Sequence, residues 1–171
     1  MSEMIRIEPL TERTLKEAID LVNLVFPPQE EPEEQPSVVF AASLNPKKYQ
    51  SILEQYTVPG LRYWLAIDSN KRVVGTIGLY CYEADKKEAY WLGWFCVASN
   101  TRRKGIGTRL LQFAIEETKR SKKSFLRLYT SNHPNELNAH KLYEKYGFRL
   151  IKEEPWGDTG LTKLYYELKI Q

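Results

Sequence analysis

The stretch FCVASNTRRKGIGTRLL, residues 95–111, joins an apolar run to an amphipathic segment through a turn that contains two glycines. Neither Gly105 nor Gly107 carries a side chain, so the backbone there can approach a bulky anion closely. The first-turn amides of a helix that starts at this point have no partner inside the helix and favour negative charge. Basic side chains at the same end strengthen that preference. We therefore predict a pyrophosphate site formed by Arg102, Arg103, Lys104, Gly105, Ile106 and Gly107.

On the C-terminal side of this turn, the pattern predicts a helix followed by a strand. The buried face of the helix is marked, at helical spacing, by Leu110, Leu111, Ala114, Ile115 and Thr118. Residues Phe125–Thr130 then have the composition of a strand. A strand, a helix and a strand within about 40 residues form a crossover unit, so we expect this part of the sheet to be parallel.

On the N-terminal side, three strand-like runs precede the turn. They are Leu61–Ile67, Val73–Tyr82 and Ala89–Val97, and only short polar segments separate them. Such short connections predict an antiparallel meander. The third run is almost wholly apolar, as is typical of a strand covered on both faces. The sheet is therefore predicted to be mixed, with this third run at its centre.

The first 60 residues predict a strand, two helices and a loop. Ile5–Glu8 favours a strand, and Thr11 is expected to cap a helix that stops before Pro27. The acidic segment Gln29–Gln35 predicts an exposed loop, with an amine-attracting lip as the alternative. Asn45 and Pro46 predict the start of a second helix, which runs to about Tyr56 and is broken by residues 57–60.

The C-terminal part completes the predicted fold. Asn135 is expected to cap a further helix, which Gly147 ends. Phe148–Lys152 and Leu161–Ile170 predict two closing strands. We thus expect an α/β (α+β) fold with about six to seven strands and about four helices, in one domain that spans residues 1–171.

Composition excludes several classes of function. A net charge of +3 is too small to indicate nucleic-acid binding. The N-terminus has no apolar run of the signal-peptide kind, and no stretch approaches the length of a membrane span, so we predict a cytoplasmic protein without a membrane partner. The spacing of Cys81 and Cys96 does not fit a metal site, so two buried reduced thiols are expected, with Cys96 as a nucleophile the minor alternative.

With these motifs in place, the sequence resembles the GNAT superfamily of N-acetyltransferases. The resemblance rests on Val97 five positions before Arg102, on the pattern Arg102-x-x-Gly105-x-Gly107, and on the later block AHKLYEKYGF at residues 139–148. It implies a mixed sheet that splays open after the central strand, with acetyl-CoA in the opening. It also implies that no metal is needed.

The resemblance also implies roles for individual residues. The backbone of residues 95–97 would pair with the pantetheine arm, amides of residues 103–108 would hold the pyrophosphate, and Tyr143 would lie near the cofactor sulfur. The family often has an Asn three residues before the helix alanine; that position is Glu136 here, and we choose Asn138 instead. The implied cofactor-binding set is Phe95, Cys96, Val97, Arg102, Arg103, Lys104, Gly105, Ile106, Gly107, Thr108 and Asn138.

Tyr143 has a chemical reason to be catalytic. A phenol with a pKa near 10 can protonate a departing thiolate without being ionised at neutral pH. The alternative, a core tyrosine, is compatible with the same position. The central strand contains no acid or His to act as a base, which leaves a water chain or a distant acid such as Glu83. His133 and His140 are expected to be solvated and not catalytic.

These observations predict an N-acetyltransferase that moves an acetyl group from acetyl-CoA to a primary amine of a small molecule or peptide. The alternative is a non-catalytic acyl-CoA-binding sensor or assembly module. The acceptor is expected to contact residues 27–63 and four aromatic side chains, which otherwise belong to the core. These are Tyr80, Tyr82, Trp91 and Trp94. A homodimer remains open.

Overall fold

The computed structural model describes residues 4–55 and 60–171. The predicted end of the second helix at Tyr56 and the break at residues 57–59 lie outside the described residues. So do the first three residues of the chain. Among the helices in the described ranges, none is both long and apolar enough to cross a membrane.

A seven-stranded mixed sheet forms the centre of the protein, in the order β1-β2-β3-β4-β5-β7-β6. The strands are β1 (Arg6–Pro9), β2 (Arg62–Ile67), β3 (Val73–Tyr80), β4 (Ala89–Val97), β5 (Phe125–Ser131), β6 (Arg149–Pro155) and β7 (Thr162–Lys169). Only the β4–β5 pair is parallel. The predicted meander, the crossover unit and the central position of β4 are all confirmed.

Five α-helices are present in the described residues: α1 (Leu15–Val25), α2 (Pro36–Leu44), α3 (Gln50–Gln55), α4 (Ile106–Arg120) and α5 (Leu137–Lys145). Short 3-10 turns occupy Pro32–Glu34, Ser99–Thr101 and Pro134–Glu136. The prediction of about four helices missed α2. Its sequence, PSVVFAASL, has no polar face that would reveal a helical period, although Pro36 at the first position is a typical start signal.

Two predicted helix starts were wrong. Helix α1 begins at Leu15, because Thr11 and Thr14 form a turn directly before it. The Thr14 amide donates to the Thr11 carbonyl at 3.1 Å, and the Thr11 amide donates to the Thr14 hydroxyl at 3.0 Å. Asn45 does not start a helix; its amide donates to the carbonyl of Ala41 and ends α2. In both cases a local turn, set by neighbouring backbone groups, moved the boundary by three or four residues.

The helices divide between the two faces of the sheet, and each face has its own apolar core. Helices α4 and α5 cover one face, around Leu110, Leu126 and Tyr143. Helices α1 and α2 cover the other, around Val22 and Phe40. We call them the donor face and the acceptor face, after the roles proposed for them below. Side chains along β4 contribute to both cores, since alternate strand residues point to opposite faces.

The sheet opens between its two central strands. Strands β4 and β5 pair only at Ala89, Tyr90 and Trp91, opposite residues 125–127. Both strands are fully described, and no later residue of β4 has a partner in β5. Beyond this point β4 stays paired with β3 and β5 stays paired with β7. The result is a V-shaped opening, which confirms the expected splay.

Candidate active site

The predicted phosphate turn lies at the mouth of this V-shaped opening. Gly105 adopts a left-handed conformation, with φ of 78°, directly before α4, and Arg103 has φ of 65°. Glycine takes this conformation at little cost, whereas other residues are strained by it. The Nε of Arg102 donates to the carbonyl of Val97 at 3.2 Å, which ties the turn to the end of β4.

Backbone donors are available at the start of α4. The first hydrogen bond inside the helix runs from the Arg109 amide to the Gly105 carbonyl at 3.0 Å. The amides of Ile106, Gly107 and Thr108 precede it and therefore have no intrahelical acceptor. The first turn of α4 contains no acidic residue, and Arg102 to Lys104 are exposed beside it. This end of the helix suits an anion.

Gly107 brings the helix close to the end of β4. A Cβ atom at this position would lie 3.6 Å from Val97, 3.7 Å from Phe95 and 3.9 Å from Leu142, all at side-chain atoms. These are ordinary van der Waals distances. A larger side chain would fill the space between β4, α4 and α5, which is the space at the mouth of the V.

A bulge in β4 orients the next residues. Thr76 pairs with Cys96 and Gly78 with Gly93, so two steps along β3 match three along β4. The extra residue shifts the alternation of side chains along β4, so Leu92 and Trp94, two residues apart, face opposite sides of the sheet. Trp94 packs towards the acceptor face, whereas Phe95 packs against the donor-face core.

Tyr143 lies inside the donor-face core and beside the opening. Its side chain is 5% exposed, and its ring centroid is 6.2 Å from that of Phe95 and 5.6 Å from that of Phe148. Burial, with smaller effects from Glu136 and Tyr166, raises the pKa of Tyr143 well above its usual value. The hydroxyl therefore keeps its proton at neutral pH, as a proton donor requires. A core position and a catalytic role are compatible here.

The polar residues before α5 differ from expectation. Asn135 does not cap a helix; its amide donates at 3.1 Å to Nδ1 of the half-buried His133. Glu136 joins the end of β5 to α5, because its carboxylate accepts hydrogen bonds from the amide and hydroxyl of Ser131. Asn138 is exposed and lies one turn before Leu142, the α5 residue near Gly107.

The structure also shows the surroundings of the other candidate reactive side chains, which are the two cysteines, Glu83 and His140. Cys81 and Cys96 are both buried free thiols, as predicted. Burial raises the pKa of Cys96 to about 11, which disfavours a thiolate nucleophile. Glu83 is exposed and paired with Lys86. The expectation of a solvated His140 was wrong, because the ring is 8% exposed and lies 3.3 Å from the Thr130 hydroxyl.

The four predicted acceptor aromatics all contribute to the acceptor-face core or pack against it. Tyr80 is buried, while Tyr82, Trp91 and Trp94 are partly exposed. The Trp91 ring lies 5.0 Å from Tyr82, and Trp94 lies 5.1 Å from Phe26 of the segment after α1. All four side chains therefore take part in packing on this face, and their contact with an acceptor stays a prediction.

The acidic segment before α2 is also more structured than predicted. A 3-10 turn covers Pro32–Glu34, and Glu33 is half-buried. Burial raises the pKa of Glu34, against an opposing effect of Lys163. Sequence reasoning missed Lys163, Tyr129 and Trp156, which assemble near this segment. No local pattern in the sequence could have found them, because they come from β5, β7 and the segment after β6 and meet only through folding.

Among the described residues, no group of three His, Cys, Asp or Glu side chains is arranged to hold a metal ion. A family model described as an acetyltransferase (GNAT) domain matches residues 59–150, more than half of the chain. The chain belongs to the GNAT acetyltransferase family. The predicted family and fold are therefore confirmed.

Individual relatives are distant or match only in part. A GCN5-related N-acetyltransferase 6, chloroplastic, from Arabidopsis thaliana is 37% identical over 57 residues, which span 33% of this chain and only 19% of the relative. The ribosomal-protein-S18-alanine N-acetyltransferase from Escherichia coli has a similar fold, with a TM-score of 0.71, 18% identity, and coverage of 98% of this chain and 95% of that one.

A second solved structure contains acetyl-CoA. It is the acetyltransferase from Elizabethkingia anophelis with acetyl-CoA bound, with a TM-score of 0.63, 23% identity, and coverage of 96% of this chain and 97% of that one. The similarity to these solved structures is one of fold.

Proposed function

We propose that this GNAT protein, as one domain spanning residues 1–171, transfers the acetyl group of acetyl-CoA directly to a primary amine. One observation carries the proposal. The opening between β4 and β5 has the start of α4 at its mouth, with Gly105 in a left-handed conformation and exposed basic residues alongside. An extended arm with a pyrophosphate at one end fits such a site.

The donor is assigned to three groups of residues. The amides of residues 103–108 would bind the pyrophosphate, helped by the charge of the basic turn. The free edge of β4 at Phe95, Cys96 and Val97 would pair with the amide groups of the pantetheine arm, since β5 leaves that edge open. Asn138, exposed on α5, is the side-chain candidate for a further contact with the donor.

Acetyl transfer requires that the amine and the thioester be held together and that the departing sulfur receive a proton. The amine lone pair attacks the thioester carbonyl, the carbon–sulfur bond breaks, and an amide forms. Tyr143 would hydrogen-bond to the departing thiolate or give it a proton, since a phenol is un-ionised at neutral pH. Strand β4 carries no acid or His, and Glu83 is paired at the surface. We therefore assign removal of the amine proton to water.

The acceptor is proposed to approach from the acceptor face. Trp94, next to the bulge, and Phe26 provide an apolar surface on that side of the opening. Small molecules and peptides both remain candidates. The neighbour from Escherichia coli is named for an alanine of a ribosomal protein, which makes peptide α-amines worth including among the amines tested.

The proposal is tested by calorimetric titration with acetyl-CoA of the wild type, Gly107→Trp and Glu116→Trp. An indole at position 107 would fill the mouth of the opening, so we expect an affinity loss of at least about 100-fold, roughly 2.7 kcal/mol. Glu116 is exposed near the other end of α4, so the same indole there should leave binding unchanged.

A panel of amines with thiol release as the readout follows the titration. Release that depends on one amine would establish the reaction and the acceptor. Binding of acetyl-CoA without release on any amine would favour the sensor or assembly module. No binding by a folded wild type would remove the proposed function.

A further inference from the structure

A lysine of the chain itself lies among aromatic rings on the acceptor face. The Nζ of Lys163 is 4.1 Å from the ring centroid of Tyr129, 5.2 Å from that of Trp156 and 5.3 Å from that of Tyr165. Three ring faces around one ammonium are characteristic of sites that recognise cationic amines. Here the occupant is a side chain of β7.

Strand register places this lysine beside the opening. Lys163 pairs with Ser131, the last residue of β5, and Tyr129 lies two residues before it. The last β5 residue paired with β4 is Arg127, so Tyr129 belongs to the part of β5 that forms one arm of the V. Alternation puts Lys163 on the face opposite Leu164 of the donor-face core, which is the acceptor face.

Nearby carboxylates only weakly neutralise the positive charge of the Lys163 ammonium. Within the described residues Lys163 forms no salt bridge, and the Glu154 carboxylate is held by Lys152 at 3.1 Å and by the Tyr165 hydroxyl. Burial lowers the pKa of Lys163, although Glu154 and Glu34 oppose that effect. The downward direction of this shift favours the neutral amine, which is the form that can attack a thioester.

We propose that Lys163 is a self-acetylation site, whose Nζ accepts the acetyl group from acetyl-CoA bound in the same chain. The inference rests on the proposed function, because it uses the same donor site. It assigns the aromatic cluster of Tyr129, Trp156 and Tyr165 as the subsite that holds an acceptor amine. Acetylation would remove the charge of Lys163 and leave a neutral amide among the rings.

The step balances with acetyl-CoA as the one co-reactant. The lone pair of the neutral Lys163 amine attacks the thioester carbonyl carbon, and a carbon–nitrogen bond forms as the carbon–sulfur bond breaks. The amine loses one proton, and the thiolate gains one to leave as free CoA. No oxidant or reductant takes part.

The experiment is mass spectrometry of peptides from the full chain after incubation with acetyl-CoA. Lys152 is the internal control, because its Nζ also lies over the Tyr165 ring, at 5.1 Å, but is exposed and paired with Glu154. We expect Lys163 to be acetylated at least about tenfold faster than Lys152, since a bound donor acts at high effective concentration. The rate per chain should not depend on protein concentration.

Two comparisons separate this reaction from unassisted acetylation. Excess free CoA should suppress acetylation of Lys163 but not the slow background at Lys152, because only the former uses the donor site. Lys163→Arg should remove the fast acetylation, whereas Lys152→Arg should retain it. Equal rates at the two lysines, or no effect of CoA, would overturn the inference.

Calorimetry with acetyl-CoA on the same sample distinguishes the possible failures. Donor binding without preferential acetylation of Lys163 would overturn this inference and leave the proposed function standing. Absence of donor binding would overturn both.

Discussion

The residues proposed to bind the donor and those proposed to bind the acceptor are distributed differently along the chain. On the donor face, the turn before α4, Phe95, Tyr143 and Phe148 all come from one segment of the sequence. On the acceptor face, Phe26, Trp94 and Lys163 come from segments far apart in the chain. The proposed site for acetyl-CoA is thus formed by one segment that carries the sequence motifs, whereas the proposed site for the amine is formed by residues that meet only through folding.

The largest expected effect concerns Tyr143, the proposed proton donor on the donor face. Tyr143→Phe removes only a hydroxyl from a buried ring, so folding and acetyl-CoA affinity should be retained. We expect kcat for amine acetylation to fall about 10²- to 10⁴-fold, the usual contribution of general acid catalysis. Steady-state kinetics with calorimetry of acetyl-CoA would measure both quantities.

Tyr166→Phe is the matched control, because Tyr166 lies in the same core with its ring 6.0 Å from that of Tyr143. Its kcat should stay close to the wild-type value. If the two variants behaved alike, Tyr143 would be a core residue with no chemical role, and the donor face would lose its catalytic assignment.

On the acceptor face, Trp94→Leu is expected to change recognition of the amine. Loss of the indole next to Phe26 should raise KM for the acceptor about 5- to 30-fold, as expected when an aromatic contact worth about 1 to 2 kcal/mol is removed. The affinity for acetyl-CoA should change little. Phe113→Leu disrupts a comparable aromatic pair with Trp64 and should affect neither constant. A selective loss of acetyl-CoA affinity in Trp94→Leu would break the division between the faces.

A smaller effect is expected from a single charge at the phosphate turn. Arg103→Gln should weaken acetyl-CoA binding about 3- to 10-fold at low salt, and the difference should shrink as salt is added. Lys119→Gln, at the far end of α4, is the control. Titrations at two ionic strengths would measure the effect. An unchanged affinity would indicate that the backbone amides alone hold the pyrophosphate.

Asp68 provides a baseline for a purely structural change. Its buried carboxylate accepts hydrogen bonds from the amides of Asn70 and Arg72 at 2.9 Å and from Arg72 Nε at 3.0 Å. Burial alone would raise the pKa of Asp68, but these bonds to Arg72 and Asn70 outweigh it and lower the pKa. Asp68→Asn should cost about 1 to 3 kcal/mol of unfolding free energy at pH 7 and leave both substrates' binding unchanged.

The pH dependence of this difference follows from the lowered pKa. The contribution of Asp68 is fully present above the pKa of the unfolded chain, about 3.9, and is lost as the pH falls through the lower folded value. Urea unfolding of wild type and Asp68→Asn at pH 7 and in acid should therefore show a shrinking gap. A gap that stayed constant would contradict the assignment.

Local signals explain why parts of the fold were predictable. The apolar run of β4, the glycines after it and the amphipathic pattern of α4 each depend on short-range rules, and their bounds were predicted closely. Helix α2 was missed because its apolar residues carry no period, and only burial against α1 and β2 explains it. His140 was misjudged for a similar reason, since contacts with Tyr166 and Thr130 bury it.

The sequence by itself predicted the mixed sheet, the family and the residues that we propose for the donor site, because the turn, its helix and the Tyr143 block are encoded in contiguous segments. Only the tertiary structure decided where β4 and β5 part, which face Trp94 takes at the bulge, and that Lys163 lies among three aromatic rings. Those features depend on strand register and on packing between distant segments, and neither leaves a local signal in the chain.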